Sequence, residues 1–511
     1  MKYTKLEPGK EYTVKGTLMD AYTGKALKIN GKEITSEKTF TAKTYDGSVD
    51  MEFTFDSRKL SGKTVVVFEN LYRNKTKVAS HADITDKGQT ITYPEVKTEA
   101  HSDATESHMG ERQPESVITD TVSYSNLIPG KTYTLKGILM DKETGRALEQ
   151  NGKQITSEIS FTPSAASGTV EMKYTVDSTL LSGKTVVVFE NLYREGILVG
   201  SHADITDEDQ SIYYPEISTT AADDATKDNQ GHIADKVTIT DTVKYVNLEP
   251  GREYRLRGIL MDKEKNQPFI SGDQIITSET VFTPDKSSGS VEMKFEVSSA
   301  ELGGRTTVVF EYLYTGNLEL AIHADINDDG QSVHWPEIKT TALDGRTGTH
   351  AGSISKLDSI TDTVSYSNLV PGRTYTVKGT LMDKETGRAL KVNGKEITAE
   401  KTFTADKAGG KVQLTFRLDS GSLEKKTVVV FEDLYHNDVK ITMHSDLTDK
   451  DQSITYPELP DTAKTGDDAN PLLYIGSALG AAAAAAAALL IRRRRRNAAE
   501  TDDAESDTPE E

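Results

Sequence analysis

The chain reads as an all-β protein, a tandem array of β-sandwich domains, and three observations predict it. The first is repetition at a constant period. Leu-Met-Asp ends at Asp20, Asp141, Asp262 and Asp383, and Val-Phe-Glu ends at Glu69, Glu190, Glu311 and Glu432, so both series recur every 121 residues without insertion or deletion. The second is strict alternation. Val170, Met172, Tyr174 and Val176 interleave with Glu171, Lys173, Thr175 and Asp177, as a half-buried strand requires. The third is the continuous apolar run Val186-Val187-Val188-Phe189, suited to a sandwich core.

Each element follows from local chemistry. Asn-Leu-x-Pro-Gly supplies a turn before the strand that opens Tyr133-Thr134-Leu135. No stretch of a repeat combines helical periodicity with caps. A unit of this length is too long for a solenoid repeat and is the size of a domain. The modules expected are residues 1–96, 97–217, 218–338 and 339–458, joined by short polar linkers near Val96, Ile217 and Ile338. Several short strands with regular turns suggest an immunoglobulin-like sandwich for each.

Composition narrows the function. Sixty Lys+Arg against 80 Asp+Glu give a formal charge of −20, which argues against nucleic-acid binding. Cysteine is absent, so there is no disulfide, thiolate metal site or cysteine nucleophile. Absent cysteine alone leans towards a reducing compartment, but the C-terminus contradicts it. Leu472 to Ile491 are twenty uncharged residues, enough for a hydrophobic transmembrane helix, although eight consecutive alanines make it weakly apolar. Arg492 to Arg496 follow as a cytoplasmic flank would. An acidic tail closes the chain at residues 497–511.

Upstream, residues 459–471 form a linker that opens with Leu459-Pro460-Asp461-Thr462-Ala463-Lys464-Thr465-Gly466-Asp467. Polar motif, span and basic stop together resemble a sortase cell-wall sorting signal of Gram-positive bacteria. The favoured scissile bond is Thr465–Gly466, with Thr462–Ala463 as the alternative, since neither motif matches the family pattern in full. The resemblance implies sortase and peptidoglycan as partners, transient membrane insertion and an extracellular, wall-anchored product. An ordinary C-terminal membrane anchor is the competing reading, and it too places the modules outside the cell.

The repeats serve as their own comparison. Module 3 has diverged most, with Lys263-Glu264-Lys265-Asn266-Gln267-Pro268 where modules 2 and 4 carry Lys-Glu-Thr-Gly-Arg. It nevertheless retains Asp262, Glu311 and the cluster His323, Asp325, Asp328 and Gln331. The counterparts of that cluster are His81, Asp83, Asp86 and Gln89; His202, Asp204, Asp207 and Gln210; and His444, Asp446, Asp449 and Gln452. Modules 2 to 4 also retain Asp-Thr at Thr121, Thr242 and Thr363. A threonine hydroxyl is a weak nucleophile that needs a base, usually histidine. A glutamine amide is a poor electrophile whose leaving ammonia needs a proton, and a buried carboxyl pair sharing one proton can supply it. The set holds the parts for hydroxyl-on-amide acyl transfer, an internal ester with loss of ammonia.

These modules resemble the VaFE-type repeats of Gram-positive surface proteins, which carry intramolecular Thr–Gln esters. The resemblance rests on Asp-Thr-Val, Val-Val-Phe-Glu and His-x-Asp-x-x-Asp-x-x-Gln and covers all four modules. It implies esters from Thr121 to Gln210, Thr242 to Gln331 and Thr363 to Gln452. It further implies His202, His323 and His444 as bases, and Asp141 with Glu190, Asp262 with Glu311 and Asp383 with Glu432 as carboxyl pairs. Module 1 keeps only Asp20, Glu69, His81 and Gln89. Its threonine equivalent falls one residue before Met1, which itself aligns with Val122, so a truncated or misassigned start is expected and module 1 is expected to form no ester.

Asp204 to Asp209 could be a calcium loop but lacks the EF-hand glycine and terminal glutamate. No metal or cofactor is expected. Glu37, Glu158, Glu279 and Glu400 are also invariant, and only the resemblance prefers the Glu190 class as acid partner. A Lys–Asn isopeptide fails because no lysine or asparagine is retained at one position in every module. The reaction is a single autocatalytic turnover, so the chain is not expected to be an enzyme. The alternative functional class is an adhesin whose modules bind a host glycan or matrix protein. Against it, no module carries an aromatic cluster beyond His334-Trp335. A surface hydrolase is disfavoured because every candidate site repeats.

Overall fold

The computed structural model describes residues 1–459. The expected cleavage positions Thr462, Ala463, Thr465 and Gly466, the hydrophobic segment 472–491 and the tail lie outside them. Among the described residues no helix is long and apolar enough to cross a membrane.

Module 2 shows the plan. Its strands are β1 (Glu95–Ser102), β2 (Ser116–Ser125), β3 (Tyr133–Asp141), β4 (Thr156–Phe161), β5 (Gly168–Val176), β6 (Thr185–Arg194), β7 (Ile197–His202) and β8 (Ser211–Tyr213). Strands β1, β2 and β5 pair in that order into one antiparallel sheet. The other sheet runs β4–β3–β6–β7, and β8 also pairs with β6. The same labels serve modules 3 and 4, where β1 is Glu216–Asp223 and Glu337–Asp344. The two inner faces meet over Ile118, Val122, Leu135, Leu139, Met172, Tyr174, Val186, Val188, Leu192 and Ile212, all buried. Alternation along each strand sends every second side chain into that core.

The expected linkers are strands. Val96, Ile217 and Ile338 are buried in β1 of modules 2, 3 and 4, so one module ends almost where the next module's first strand begins. The polar residues read as linker are the outward half of that strand: Lys97 and Glu99 are exposed, whereas Val96, Thr98 and Ala100 point inward.

Neighbouring modules grip each other in both directions. After β2, Asn126, Asn247 and Asn368 adopt φ near +60°, the left-handed region that asparagine tolerates. Their side-chain amides reach back to the preceding module; Asn247 donates to Gly183 O at 3.1 Å and Tyr214 O at 2.9 Å. In the other direction the β1–β2 loop docks forward. Arg112 donates its backbone N–H to Glu319 O at 2.8 Å, and Ile233 does the same to Ile441 O at 2.8 Å.

Candidate functional site

Four strands converge between the sheets. On β1 the inward positions are Val96, Thr98 and Ala100; on β2 they are Ile118, Asp120 and Val122. The register sets Thr98 against Val122 and Ala100 against Asp120, so Thr98 and Asp120 are diagonal neighbours on one face. From the opposite sheet β6 sends in Glu190, flanked by Gly137 of β3 and His202 of β7 in the same cross-strand row. Gly137 leaves room for an aromatic roof: a Cβ there would collide with Tyr174, as it would with Phe295 at Gly258 and Phe416 at Gly379.

Gln210 enters from the loop before β8, wholly buried. Its Nε2 donates to Thr98 Oγ1 and to Glu190 Oε2, the latter at 2.6 Å. In module 3, Gln331 Nε2 lies 2.8 Å from Thr219 Oγ1 and 2.5 Å from Glu311 Oε2. In module 4, Gln452 Nε2 meets Thr340 Oγ1 and, at 2.6 Å, Glu432 Oε2. Each amide is therefore held between a threonine hydroxyl and a glutamate.

This geometry corrects two expectations. The threonine beside the glutamine is Thr98, Thr219 or Thr340, not Thr121, Thr242 or Thr363. Thr121 follows Asp120 on β2, and adjacent side chains of a strand point to opposite faces. It lies across from exposed Glu99 and Glu171, on the outside of the sheet. Thr363 likewise meets Gln413 Nε2, at 3.4 Å on the exposed face.

The carboxyl partner of the glutamate is Asp120, Asp241 or Asp362 rather than Asp141, Asp262 or Asp383. Asp141 pairs with Val186, four residues along β6 from Glu190, a separation of about 13 Å. It closes a surface turn, accepting Thr144 N–H at 2.9 Å and Lys184 Nζ at 2.6 Å. Burial pushes its pKa up, but the lysine and the turn amide together hold it below the ordinary carboxylate range. Asp262 with Arg305, Asp383 with Lys426 and Asp20 with Lys63, each at 3.1 Å, do the same work. The Glu158 class stays outside: Glu158 is exposed and pairs with Lys136 at 3.0 Å.

The true pair is electrostatically unusual. Burial first, then the charge and proximity of Asp120, pushes Glu190 well above the usual range. Burial also raises Asp120, Asp241 and Asp362, and Asp241 is pushed up to about 6. The aspartate oxygens and Oε1 of each glutamate are buried in the pocket. Besides the glutamate, Asp120 and Asp241 face the hydroxyls of Thr98 and Thr219, and Asp241 and Asp362 the backbone amides of Thr220 and Thr341. Two buried carboxyls side by side hold one proton between them more readily than two charges.

His202 is hydrogen-bonded through both ring nitrogens, Nδ1 to Val96 O at 3.2 Å and Nε2 to Asp207 Oδ2 at 2.8 Å. His323 and His444 repeat both contacts, with Ile217 O and Asp328, and with Ile338 O and Asp449. None of these bonds reaches the threonine. Asp204 accepts the amide and hydroxyl of Thr206, and among the described residues no cluster fit for a metal forms. In module 1, Gln89 Nε2 meets Glu69 Oε2 at 2.5 Å and His81 Nε2 meets Asp86 Oδ2 at 2.7 Å.

The signal for the missed residues was present. Thr98, Thr219 and Thr340 recur in the frame Pro-Glu-Val/Ile-x-Thr, and Asp120 shares the inward phase of Ile118 and Val122.

A model of the T-Q ester bond containing domain matches residues 1–93, 94–214, 215–335 and 336–456. No curated protein matches the chain. Among solved structures, a bacterial adhesin from Mobiluncus mulieris containing intramolecular disulfide, isopeptide and ester bond cross-links is 17% identical, with a TM-score of 0.23, over 50% of this chain and 88% of that one. An Escherichia coli alpha-2-macroglobulin activated by porcine elastase is 8% identical, with a TM-score of 0.20, over 88% of this chain and 41% of that one. Likenesses so distant carry no weight. The family match spans all four repeats: the chain belongs to the T-Q ester bond containing domain family, with four copies in tandem.

Proposed function

We propose that modules 2, 3 and 4 crosslink themselves through esters from Thr98 to Gln210, Thr219 to Gln331 and Thr340 to Gln452, stiffening the shaft of a surface stalk or adhesin. The observation that carries this reading is the glutamine amide held between threonine and glutamate in a buried, roofed pocket in each of the three modules. The threonine Oγ attacks the glutamine Cδ while the ionised carboxyl of the pair takes its proton. The protonated carboxyl then gives its proton to the leaving nitrogen, and ammonia departs. The pair ends as it began, holding one proton, and one C–O bond has replaced one C–N bond. Each module reacts once, so the chemistry is maturation rather than enzymatic turnover.

The crosslink would join the first strand of a module to the residue before its last strand. A pulling force that enters at β1 and leaves after β8 would run through the ester and bypass the six strands between. Wall anchoring by sortase, with peptidoglycan as acceptor, rests on the sequence around Thr465 and completes the picture of an extracellular shaft. Proteolysis of the intact chain followed by peptide mass analysis tests the linkage: a branched peptide joining Thr98 to Gln210 is expected. Linear peptides alone, with Gln210 still an amide, would refute it.

A further inference from the structure

The sheet that carries Glu311 turns its other face to solvent, and in module 3 that face differs from those of its neighbours. Its strands there are β3 (Tyr254–Asp262), β4 (Thr277–Phe282), β6 (Thr306–Thr315) and β7 (Leu318–His323). Leu256, Gly258 and Leu313 are buried on the inner side, so alternation puts Arg255, Arg257, Tyr312 and Tyr314 outside. The register arranges them in two cross-strand rows, Val281–Arg255–Tyr314 and Glu279–Arg257–Tyr312–Ile322.

In the other modules the same rows are polar and closed on themselves. Where module 3 has Arg255 and Val281, they pair two hydroxyls: Thr13 with Thr39 at 2.9 Å, Thr134 with Ser160 at 2.9 Å and Thr376 with Thr402 at 3.0 Å. Where it has Arg257 and Glu279, they pair a lysine with the glutamate: Lys15–Glu37 at 2.8 Å, Lys136–Glu158 at 3.0 Å and Lys378–Glu400 at 3.8 Å. Module 3 breaks both pairs. Arg255 takes Glu279, at 3.5 Å, and lies over the Tyr314 ring, 5.1 Å from its centroid. Arg257 is exposed, and among the described residues no carboxylate pairs with it. Beside it Tyr312 replaces an asparagine or aspartate, and Ile322 replaces the serine of modules 1 and 2. Val281 is 55% exposed.

These five substitutions lie side by side. An arginine among tyrosines, with aliphatic side chains on either hand, is the composition that carries binding energy at protein interfaces. A guanidinium takes a carboxylate through two parallel bonds, and the fold has left Arg257 without one although the chain carries a formal charge of −20. Its complement is a carboxylate from outside the chain. Val281, Ile322 and the next row, Ile259 with Phe310, offer a sugar no hydrogen bond, which favours a polypeptide over an acidic glycan. We propose that this face of module 3 docks a protein partner, a segment that presents an aspartate or glutamate to Arg257 and lays apolar side chains across Tyr312, Ile322 and Val281. The loop of module 2 marks one border, where Arg112 meets Glu319 at 3.0 Å. The ester site lies on the inner side of the sheet, so docking is independent of crosslinking.

A random peptide library displayed on phage and panned on the full chain tests this. The counter-target is the full chain with Arg255→Thr, Arg257→Lys, Val281→Ser, Tyr312→Asn and Ile322→Ser. Module 2 carries all five of these residues together on the same scaffold, so the change keeps the fold. Selected peptides are expected to carry an acid beside aromatic or aliphatic residues. Their binding, read by fluorescence anisotropy of the labelled peptide, should weaken by at least about tenfold on the counter-target, as losing a central interface residue does. Arg257→Lys alone should weaken it as well, because an ammonium cannot reproduce the fork. Placing the module 3 residues on module 4 of the counter-target (Thr376→Arg, Lys378→Arg, Thr402→Val, Asp433→Tyr, Met443→Ile) should recover binding. No enriched peptide, peptides that bind both chains alike, or a module 4 graft that binds nothing would overturn the proposal. Binding of a hyaluronan tetrasaccharide or sialyllactose that the counter-target loses would overturn it in favour of an acidic glycan. Self-association of the wild type in the ultracentrifuge that the counter-target abolishes would overturn it in favour of a second copy.

Discussion

Replacing Thr98, Thr219 and Thr340 by valine removes the three nucleophiles while keeping the shape of the side chain. What is lost depends on whether the ester has formed. Without it the change removes the hydroxyl that accepts the glutamine N–H, a neutral hydrogen bond of about 1 kcal/mol. With it, that hydrogen bond has already been replaced by the ester, and the change removes the crosslink. Thr98 and Gln210 are 112 positions apart, and a crosslink closing about 100 residues limits the unfolded chain by about 4–5 kcal/mol. For a domain of this size 1 kcal/mol moves Tm by about 4 °C. The hydrogen bond alone therefore lowers Tm by about 4 °C, and the crosslink by about 16–20 °C. Scanning calorimetry of the triple variant beside wild type separates the two. Thr121→Val with Thr242→Val and Thr363→Val is the control, because those hydroxyls lie on the outer face, and it should leave Tm within about 2 °C of wild type. A fall of only about 4 °C in the first protein, or an equal fall in the control, would refute the assignment of the threonines.

Three further outcomes follow from the same geometry. Glu190→Gln, Glu311→Gln and Glu432→Gln together should abolish ammonia loss while circular dichroism stays that of a folded protein, because the carboxyl that touches the leaving nitrogen is gone and the aspartate left behind has no partner to share a proton with. In the uncrosslinked Thr→Val protein the buried aspartates bind protons more tightly folded than unfolded. Their contribution is therefore fully present below the ordinary aspartate pKa and is lost as pH rises through about 6 for Asp241, roughly 3 kcal/mol for that module. Its Tm should fall between pH 4 and 7, and Asp120→Asn, Asp241→Asn and Asp362→Asn should flatten that slope. Asn247→Gly keeps the left-handed backbone but releases Gly183 and Tyr214 of module 2. It should speed hydrogen exchange at that junction alone, by about tenfold, without changing the number of esters.

Much of this was legible before the fold was known. The period, the alternating strands and the Glu–His–Gln set stand out because four copies expose which positions resist change. The threonine and aspartate were misassigned for a physical reason. Spacing along the chain says which residues recur, but the choice between Asp120 and Thr121 depends on the face each presents. That phase is set by Ile118 and Val122, whose burial puts Asp120 inside and Thr121 outside. Thr98 was hidden differently: Lys97 and Glu99 on either side made its strand look like a polar linker. Asp141 recurs as faithfully as Asp120, because a turn that must hold a lysine or arginine is conserved among copies as firmly as a reactive pair.

The measurement that bears most directly on the central claim is the intact mass of the full chain, wild type beside Thr98→Val. Three esters in modules 2, 3 and 4 place the wild type three ammonias below its sequence mass, and Thr98→Val two below the mass of its own sequence. A wild-type mass equal to the sequence mass, or a Thr98→Val protein that still loses three ammonias, would contradict it.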